Sequence, residues 1–166
     1  MKKLTKILAI ALAGAALLLT TACCDTTELL EPKALLVKEI NAYFEEMYDW
    51  VPTEVEELSV LEMEKLLVFQ RAKSITLPDD ELDWKGYYKR AEEIGYDWPE
   101  YIGIHNHTSD GEDVWTLCCE YKDPVTLRAQ VRVTFANLEE DMKYIGLGVM
   151  EINGTTYWTC TFYCEA

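Results

Sequence analysis

The sequence predicts an α/β fold on the basis of two observations. The stretch from Tyr144 to Tyr163 contains two apolar, β-rich runs joined by Asn153-Gly154, a pair that readily takes the positive φ values of a tight hairpin turn. Upstream, apolar residues recur at three- and four-residue steps, the spacing of amphipathic helices. The chain therefore combines a terminal hairpin with helices that can cover it.

Both faces of the last strand carry apolar side chains that helices can bury. Because side chains alternate along a strand, one set of residues points to each side. One face carries Thr156, Trp158, Cys160, Phe162 and Cys164. The other carries Tyr157, Thr159, Thr161 and Tyr163.

Residues 1–22 have the features of a bacterial lipoprotein signal peptide. Three lysines in the first six residues precede an apolar run, Ile7 to Leu19, that is short for a membrane span. Residues 19–23, Leu-Thr-Thr-Ala-Cys, resemble a lipobox, with threonine where that motif prefers leucine. We expect Cys23 to be lipidated. An ordinary cleaved signal peptide is the alternative, and both place the protein outside the cytoplasm.

The remaining chain predicts a tether over residues 23–33 and a single domain over residues 34–166, a length suited to one core. The leader contains three lysines and no acidic residue, so its removal changes the net charge from −15 to −18. Such a surface repels nucleic acid and anionic headgroups. Solubility is its simplest role, and retention of cations or a basic partner is the alternative.

Helical spacing predicts the first half of the domain. A first helix runs from about Pro32 to Tyr48 with Leu36, Ile40, Tyr43, Phe44 and Met47 on its buried face. A second begins at Pro52-Thr53, where Thr53 and Glu56 have capping-box spacing, and buries Leu58, Leu61, Val68, Ala72 and Ile75. A third, Trp84 to Ile94, is capped by Asp83 and closed by Gly95, with Trp84, Tyr87, Tyr88, Ala91 and Ile94 inward.

The segment from Tyr96 to Asp113 has the glycine, serine and asparagine content of a long loop. It holds the chain's two histidines, His105 and His107, with Asp110 nearby. Alternate residues of an extended segment share a face, so a metal site there is one interpretation, although two histidines need a third ligand. Solvated loop histidines are the commoner case.

A strand is predicted over Val114 to Tyr121, followed by a helix over Asp123 to Asn137 with Asp123 as N-cap and Pro124 in its first turn. The alternation of Val131, Val133 and Phe135 would also suit a strand.

Beyond Cys23 the chain has five cysteines, and export makes a disulfide plausible. We expect Cys118 or Cys119 to pair with Cys160 or Cys164. The spacing of these cysteines lacks the paired knuckle of a structural zinc site.

Five motifs, with the closing hairpin counted as one, resemble in the same order those of the CAP superfamily, the cysteine-rich secretory, antigen 5 and pathogenesis-related proteins. Residues 145–149 and 157–162 resemble its closing "iGvGv" and "YWtq.F" strands. Residues 66–80, LLVFQRAKSITLPDD, resemble "L..aA..rA.e.sHtRPDG" and are the most specific match. Looser similarities are found in residues 36–46, 117–130 and 134–138. The resemblance implies a three-layer α-β-α sandwich around a small, mainly antiparallel sheet.

The same resemblance implies that a metal-binding set has been lost. The family's two histidines and its intervening glutamate fall on Ile75, Thr134 and Trp115 in this sequence. Isoleucine has no lone pair with which to bind a metal or move a proton. On this alignment Ile75, Trp115 and Thr134 line a degenerate cavity, and the sequence predicts no metal, no cofactor and no catalytic residue there.

Three functions follow as hypotheses. The first is a non-catalytic, membrane-tethered binding module for an apolar small molecule or a protein partner, as members of the family are described. Four of the five tryptophans, Trp84, Trp98, Trp115 and Trp158, together with ten tyrosines, would allow an apolar groove. Their buried-face spacing, however, makes most of them core. The alternatives are a metal-dependent hydrolase or protease and a cell-envelope structural or adhesion protein. No nucleophile–base motif supports catalysis.

Overall fold

The computed structural model describes residues 31–97, 113–136 and 143–166, together with the backbone of residues 105–107. The predicted leader, Cys23 and most of the tether lie outside these residues, as do Trp98, Asp110 and Asn137. Among the helices that are described, none is both long enough and apolar enough to span a bilayer.

Helices and strands are interspersed along the described chain. The helices are α1 (Pro32–Tyr48), α2 (Glu56–Ala72), α3 (Trp84–Glu93) and α4 (Pro124–Thr134), with a 3-10 turn at Asp79–Glu81. The strands are β1 (Thr53–Glu54), β2 (Thr76–Pro78), β3 (Tyr96–Asp97), β4 (His105–His107), β5 (Asp113–Thr116), β6 (Glu120–Tyr121), β7 (Tyr144–Ile152) and β8 (Thr155–Glu165).

The main sheet is built on the long hairpin of β7 and β8. Strand β1 pairs in parallel with β7, and β3 and β6 both pair antiparallel with β8. Strands β2, β5 and β4 form a second, antiparallel sheet. The structure therefore confirms an α/β fold with a small, mainly antiparallel sheet.

The predicted hairpin turn is confirmed in its details. Asn153 has φ 53° and Gly154 has φ 80°, the positive pair that matches the twist of two antiparallel strands. The register runs from Ile152 opposite Thr155 to Tyr144 opposite Tyr163. This register fixes which side chains of each strand share a face.

Helices cover both faces of the hairpin, which gives three layers. On one face, α1 and α4 pack against alternate strand residues, Ile145, Leu147, Trp158, Cys160 and Phe162. On the other, α2 and α3 pack against Tyr163 near one end of β8 and against Ile152 and Tyr157 near the turn. The alternation predicted for β8 is thus confirmed at Trp158, Cys160 and Phe162 on one side and at Tyr157 and Tyr163 on the other.

Two glycines let α2 approach the sheet closely. A Cβ atom added to Gly146 would lie 2.7 Å from the backbone oxygen of Leu58, and one added to Gly148 would lie 3.0 Å from the backbone carbon of Glu62. Both strand positions face α2, so a larger residue there would push the helix away. The glycines set the distance between α2 and β7.

The first helix matches its prediction in extent, and four of its five predicted inward residues, Leu36, Ile40, Tyr43 and Phe44, are buried. The fifth, Met47, is exposed and was wrongly placed in the core.

The segment after Asp123 is a helix, as predicted in preference to a strand, and the Asp123 side chain accepts hydrogen bonds from the backbone N–H groups of Val125 and Thr126. It ends at Thr134, earlier than predicted.

The predicted capping box at Thr53 and Glu56 is wrong. Thr53 and Glu54 form β1, because the edge of β7 offers free backbone groups: Thr53 N donates to Lys143 O at 2.8 Å and Val55 N to Ile145 O at 3.0 Å. Helix α2 begins only at Glu56, and Val55, whose side chain has no oxygen, occupies its N-cap position.

The far end of α2 also differs from the prediction. Lys73 takes a left-handed conformation with φ 52° and ends the helix at Ala72. Ala72 is exposed, and Ile75 lies beyond the helix with 38% of its surface exposed. The predicted buried stripe therefore holds at Leu58 and Leu61 but fails at its last two members.

Three shorter predictions need correction. Helix α3 begins after the predicted cap Asp83, but Ile94 is exposed rather than inward. The predicted loop contains strands at Tyr96–Asp97 and His105–His107, since backbone pairing with β8 and β5 overrides local composition. The predicted strand from Val114 to Tyr121 is interrupted at residues 117–119, because its two halves, β5 and β6, pair in different sheets.

Candidate functional site: the groove between helices α2 and α3

An apolar groove of about 300 Å³ lies between α2 and α3. Leu61 forms its buried floor, while Val60 and Ile94 stand on its two sides with 48% and 42% of their surface exposed. Exposure of aliphatic side chains to water is unfavourable, so a partner that buries them would gain binding free energy. Among the described residues, this groove is a candidate binding site with apolar walls.

One side of the groove is closed by an ion pair that joins the two helices. The guanidinium of Arg90 in α3 makes two hydrogen bonds to the carboxylate of Glu64 in α2, with Nη2 at 2.9 Å from Oε1. This hydrogen bond lowers the pKa of Glu64 below its ordinary value and raises that of Arg90. Paired groups of this geometry hold two helices in register.

Acidic side chains stand at the rim of the groove. Glu57, in the first turn of α2, and Glu93, in the last turn of α3, both line it. Lys89 approaches Glu93 at 3.6 Å, but both side chains are mostly exposed and the pair is weak. The rim therefore offers carboxylates to a cation carried by a ligand.

A buried polar network supports the groove from beneath α2. Glu62 and Lys65 are 1% and 2% exposed, and Lys65 Nζ lies 2.6 Å from Glu62 Oε1. Thr159 Oγ1 donates to Glu62 Oε2 at 3.0 Å, and Lys65 Nζ donates to Thr161 Oγ1 at 3.3 Å. Burial of a charged pair is favourable only when its remaining hydrogen-bonding capacity is satisfied, and the two threonines contribute to that.

The same lysine connects α2 to α3. Its ammonium nitrogen lies 4.9 Å from the centroid of a Trp84 ring and 5.6 Å from that of Tyr87, within the range of a cation–π contact. The Trp84 and Trp115 ring centroids lie 4.0 Å apart, with an angle of 32° between the ring planes. Thus Lys65 places the start of α3, and through it the groove, relative to the sheet.

A second cleft, of about 240 Å³, lies between α1 and α4. Its charged side chains already bind one another: Arg128 donates to the Glu39 carboxylate at 2.8 and 3.0 Å, and Arg132 donates to Glu46 at 3.1 Å. The hydrogen bonds from Arg128 lower the pKa of Glu39. A ligand there would have to displace these pairs, so this cleft is the weaker candidate.

The three residues of the predicted degenerate cavity have different surroundings. Ile75 is partly exposed, and its carbonyl accepts a hydrogen bond from Leu117 N at 2.8 Å. Trp115 is buried on the α2 side of the sheet, and its indole N–H donates to Asp79. Thr134 lies in α4, on the other side, beside the Cys119 thiol. The expectation that Ile75 fills a core cavity is therefore wrong.

The side chains of the predicted histidine site, His105 and His107, lie outside the described residues. Their backbone forms β4, with His105 opposite Trp115 and His107 opposite Asp113. In the part of the chain that is described, no group of three histidine, cysteine or acidic side chains is arranged to hold a metal ion.

Cys118, Cys119, Cys160 and Cys164 are free thiols in the structure. A sulfur–sulfur contact of 3.9 Å joins the two neighbours Cys118 and Cys119. Cys160 is buried in the layer of α1 and α4, and Cys164 Sγ lies 3.9 Å from Asp97 O at the C-terminal end of β8, where β3 pairs with it. The bridge between Cys118 or Cys119 and β8 stays a prediction.

Sequence reasoning missed both the groove and the polar network. Glu62 and Lys65 occupy stripe positions between Leu58 and Phe69, where a charge is unusual. Thr159 and Thr161 share the opposite face of β8 from Trp158 and Phe162. Together these two patterns were a signal for a buried polar contact.

No family model, curated protein or solved structure matches this chain. The resemblance to the CAP superfamily therefore stays a prediction made from the sequence motifs.

Proposed function

We propose that the chain is an exported, membrane-tethered, CAP-like binding module, without catalytic activity, whose α2–α3 groove holds an extended peptide segment of a protein partner. An aliphatic side chain of the partner fills the groove between Val60 and Ile94. Basic residues on either side of it meet the carboxylates of Glu57 and Glu93.

The observation behind this proposal is an exposed aliphatic groove with an acidic rim. Its volume is at the lower end of the range of small-molecule pockets, about 300 Å³, and its aliphatic walls are open to solvent. One side chain of a peptide suits such a groove better than an enclosed ligand. The net charge, −15 for the whole sequence and −18 without the leader, favours a basic partner through long-range attraction.

The remaining parts of the proposal rest on the sequence. The lysine-rich start, the apolar run and the cysteine of residues 1–23 support export and a lipid anchor. Lack of catalysis is supported by the residue types at Ile75, Trp115 and Thr134, which provide neither a base nor a set of metal ligands.

Fluorescence anisotropy with labelled peptides tests the groove. The full chain, in detergent, is titrated against a peptide with leucine flanked by lysines and against one with leucine flanked by glutamates. We expect only the basic peptide to bind, and Ile94→Ala to weaken its binding about tenfold, which corresponds to about 1.4 kcal/mol. Glu57→Gln with Glu93→Gln should weaken binding and reduce its dependence on salt.

Val133→Ala is the matched control, because Val133 is exposed on α4, away from the groove. Equal binding of both peptides, or binding that Ile94→Ala leaves unchanged, would contradict the proposal. An apolar dye that binds in the groove while neither peptide displaces it would instead identify a site for an apolar small molecule.

A further inference from the structure

Three cysteine side chains, those of Cys118, Cys119 and Cys160, lie close together where β6 pairs with β8. None of them lines the groove between α2 and α3. Cys118 and Cys119 lie in the three-residue connection between β5 and β6. The β6–β8 register, with Glu120 opposite Tyr157, places Cys119 next to Trp158 and within two residues of Cys160 along β8. Two of the three thiols are in sulfur–sulfur contact.

The Cys118-Cys119 pair is held by backbone hydrogen bonds on both sides. Leu117 N donates to Ile75 O at 2.8 Å, and Trp158 N donates to Cys119 O at 2.9 Å. The first bond connects the segment to Ile75, the residue that precedes β2 in the second sheet, and the second connects it to the main sheet. The contact of 3.9 Å between the two Sγ atoms is therefore set by backbone that both sheets hold in place.

The two thiols differ in exposure and in acidity. Cys118 is exposed, whereas Cys119 is half-buried against the core cluster of α1 and α4. A hydrogen bond from the Cys119 thiol lowers the pKa of Cys118 to about 6. Donation of that hydrogen bond, together with burial, raises the pKa of Cys119. The exposed thiol is thus the thiolate of the pair and the inner thiol its proton donor.

We propose that Cys118 and Cys119 form a thiol–disulfide exchange site, in which Cys118 attacks an external disulfide and Cys119 resolves the product. The Cys118 thiolate attacks one sulfur of the external disulfide. The external S–S bond breaks, one half leaves as a thiolate, and the other half stays bonded to Cys118 Sγ as a mixed disulfide. Cys119 then gives up its proton and attacks Cys118 Sγ, which releases the second half. The protein loses two electrons and two protons, and the external disulfide leaves as two thiols.

Exposure and position assign the two roles. The nucleophile must reach a disulfide in solution, and among the three clustered thiols Cys118 is the exposed one. The resolving thiol must reach Cys118 Sγ, which Cys119 contacts directly. Cys160 is almost fully buried and burial raises its pKa, so it is the least suited to either step.

The aromatic disulfide reagent dithionitrobenzoate tests the proposal, since it releases one coloured thiolate at each step. The full chain carries Cys23→Ser and Cys24→Ser so that only the four described thiols react. At pH 6 we expect a fast phase that releases two thiolates per chain and leaves a Cys118–Cys119 disulfide in the peptide mass map. Thiolate fraction and intrinsic nucleophilicity together predict a rate about tenfold above that of an ordinary thiol.

Single substitutions separate the two steps. Cys118→Ser, at an exposed position, should abolish the fast phase. Cys119→Ser should leave one fast thiolate and a stable mixed disulfide on Cys118. Cys164→Ser is the matched control and should change neither. Circular dichroism of each variant establishes that it is folded.

Two outcomes would overturn the proposal. One is a fast phase that survives Cys118→Ser. The other is a mass map of the oxidised wild-type chain in which Cys119 is bonded to Cys160, because that bridge removes the resolving thiol. Neither result bears on peptide binding in the groove, which is measured separately.

Discussion

At the centre of the β7–β8 hairpin, the two faces bury side chains of different character. On the α1 and α4 face, the Phe44 ring lies 4.9 Å from Trp50, 5.2 Å from Phe162 and 5.8 Å from Phe135 between centroids. On the α2 face, the centre of the sheet has two glycines and two threonines, against which the Glu62–Lys65 pair is packed.

This difference suggests that one face mainly stabilises the fold and the other mainly fixes the position of α2. Aromatic burial contributes free energy in proportion to the area removed from water and tolerates small shifts. A buried ion pair contributes little net free energy, but it is satisfied in few arrangements. We therefore expect the aromatic face to provide most of the stability and the polar face to fix where α2, and with it the groove, lies.

Phe44→Ala should have the largest effect, because it leaves a cavity in the aromatic cluster. We expect the free energy of unfolding in urea to fall by about 4 kcal/mol. Met47→Ala in the same helix is the control, since Met47 is exposed and its loss should cost less than about 0.5 kcal/mol. Similar losses for both would mean that the cluster contributes no more than the surface of α1.

Lys65→Met should cost somewhat less, about 3 kcal/mol, because it leaves the buried Glu62 carboxylate without its partner. The double variant Glu62→Leu with Lys65→Met should recover most of this loss, since it removes both charges. Groove binding should recover less than stability does, because the double variant lacks the contacts of Lys65 with Trp84 and Tyr87.

The control for that cycle is Lys89→Met, in an exposed pair with Glu93, which should be nearly neutral in denaturant titrations. Full recovery of peptide affinity in the double variant would show that the polar pair does not position the groove. That result would remove the distinction between the two faces.

Gly146→Ala should cost about 2 kcal/mol through overpacking. The added Cβ meets the backbone oxygen of Leu58 at 2.7 Å, and a backbone atom cannot move aside as a side chain can. Gly146→Val should cost more. If urea unfolding shows that both variants are as stable as the wild type, α2 can retreat from the sheet without penalty.

Local patterns predicted those parts of the fold whose causes lie within a few residues. The hairpin turn depends on Asn153-Gly154 itself, α4 on the cap formed by Asp123, and α1 on its own apolar period. Thr53 was misplaced because its partner, the edge of β7, is about 90 residues away in sequence. A capping box and an edge strand look alike until that partner is known.

The site was predicted less well for the same reason. Arg90 and Glu64 are 26 residues apart, and Glu62 and Thr159 are 97 residues apart, so neither contact can be derived from spacing. Ile75 was assigned to the core by extending the period of α2 past Lys73, whose left-handed conformation ends the helix. Cys118 and Cys119 were considered only as partners of Cys160 or Cys164, and the sequence does not show the exposure that distinguishes the two thiols.

The smallest expected effect concerns the ion pairs between α1 and α4, and it depends on pH. Hydrogen bonding from Arg128 lowers the pKa of Glu39 in the folded protein below its unfolded value. A group with a lowered folded pKa contributes stability that is complete above its unfolded pKa and is lost as the pH falls through the folded one. Arg128→Gln should therefore destabilise the protein at pH 7, and the difference from wild type should shrink at about pH 3.

The effect should be smaller than those above, because the Arg128 side chain is 60% exposed and solvent screens its charge. Arg132→Gln is the comparison variant: Arg132 hydrogen-bonds to the exposed Glu46 and acts on Glu39 only through its charge, the smallest of the causes that lower the pKa of Glu39, so its penalty should change less with pH. Urea denaturation of both variants at the two pH values separates them. If the penalty of Arg128→Gln is the same at pH 3 as at pH 7, Glu39 does not titrate as the contact requires, and the ion pair does not contribute to the aromatic face.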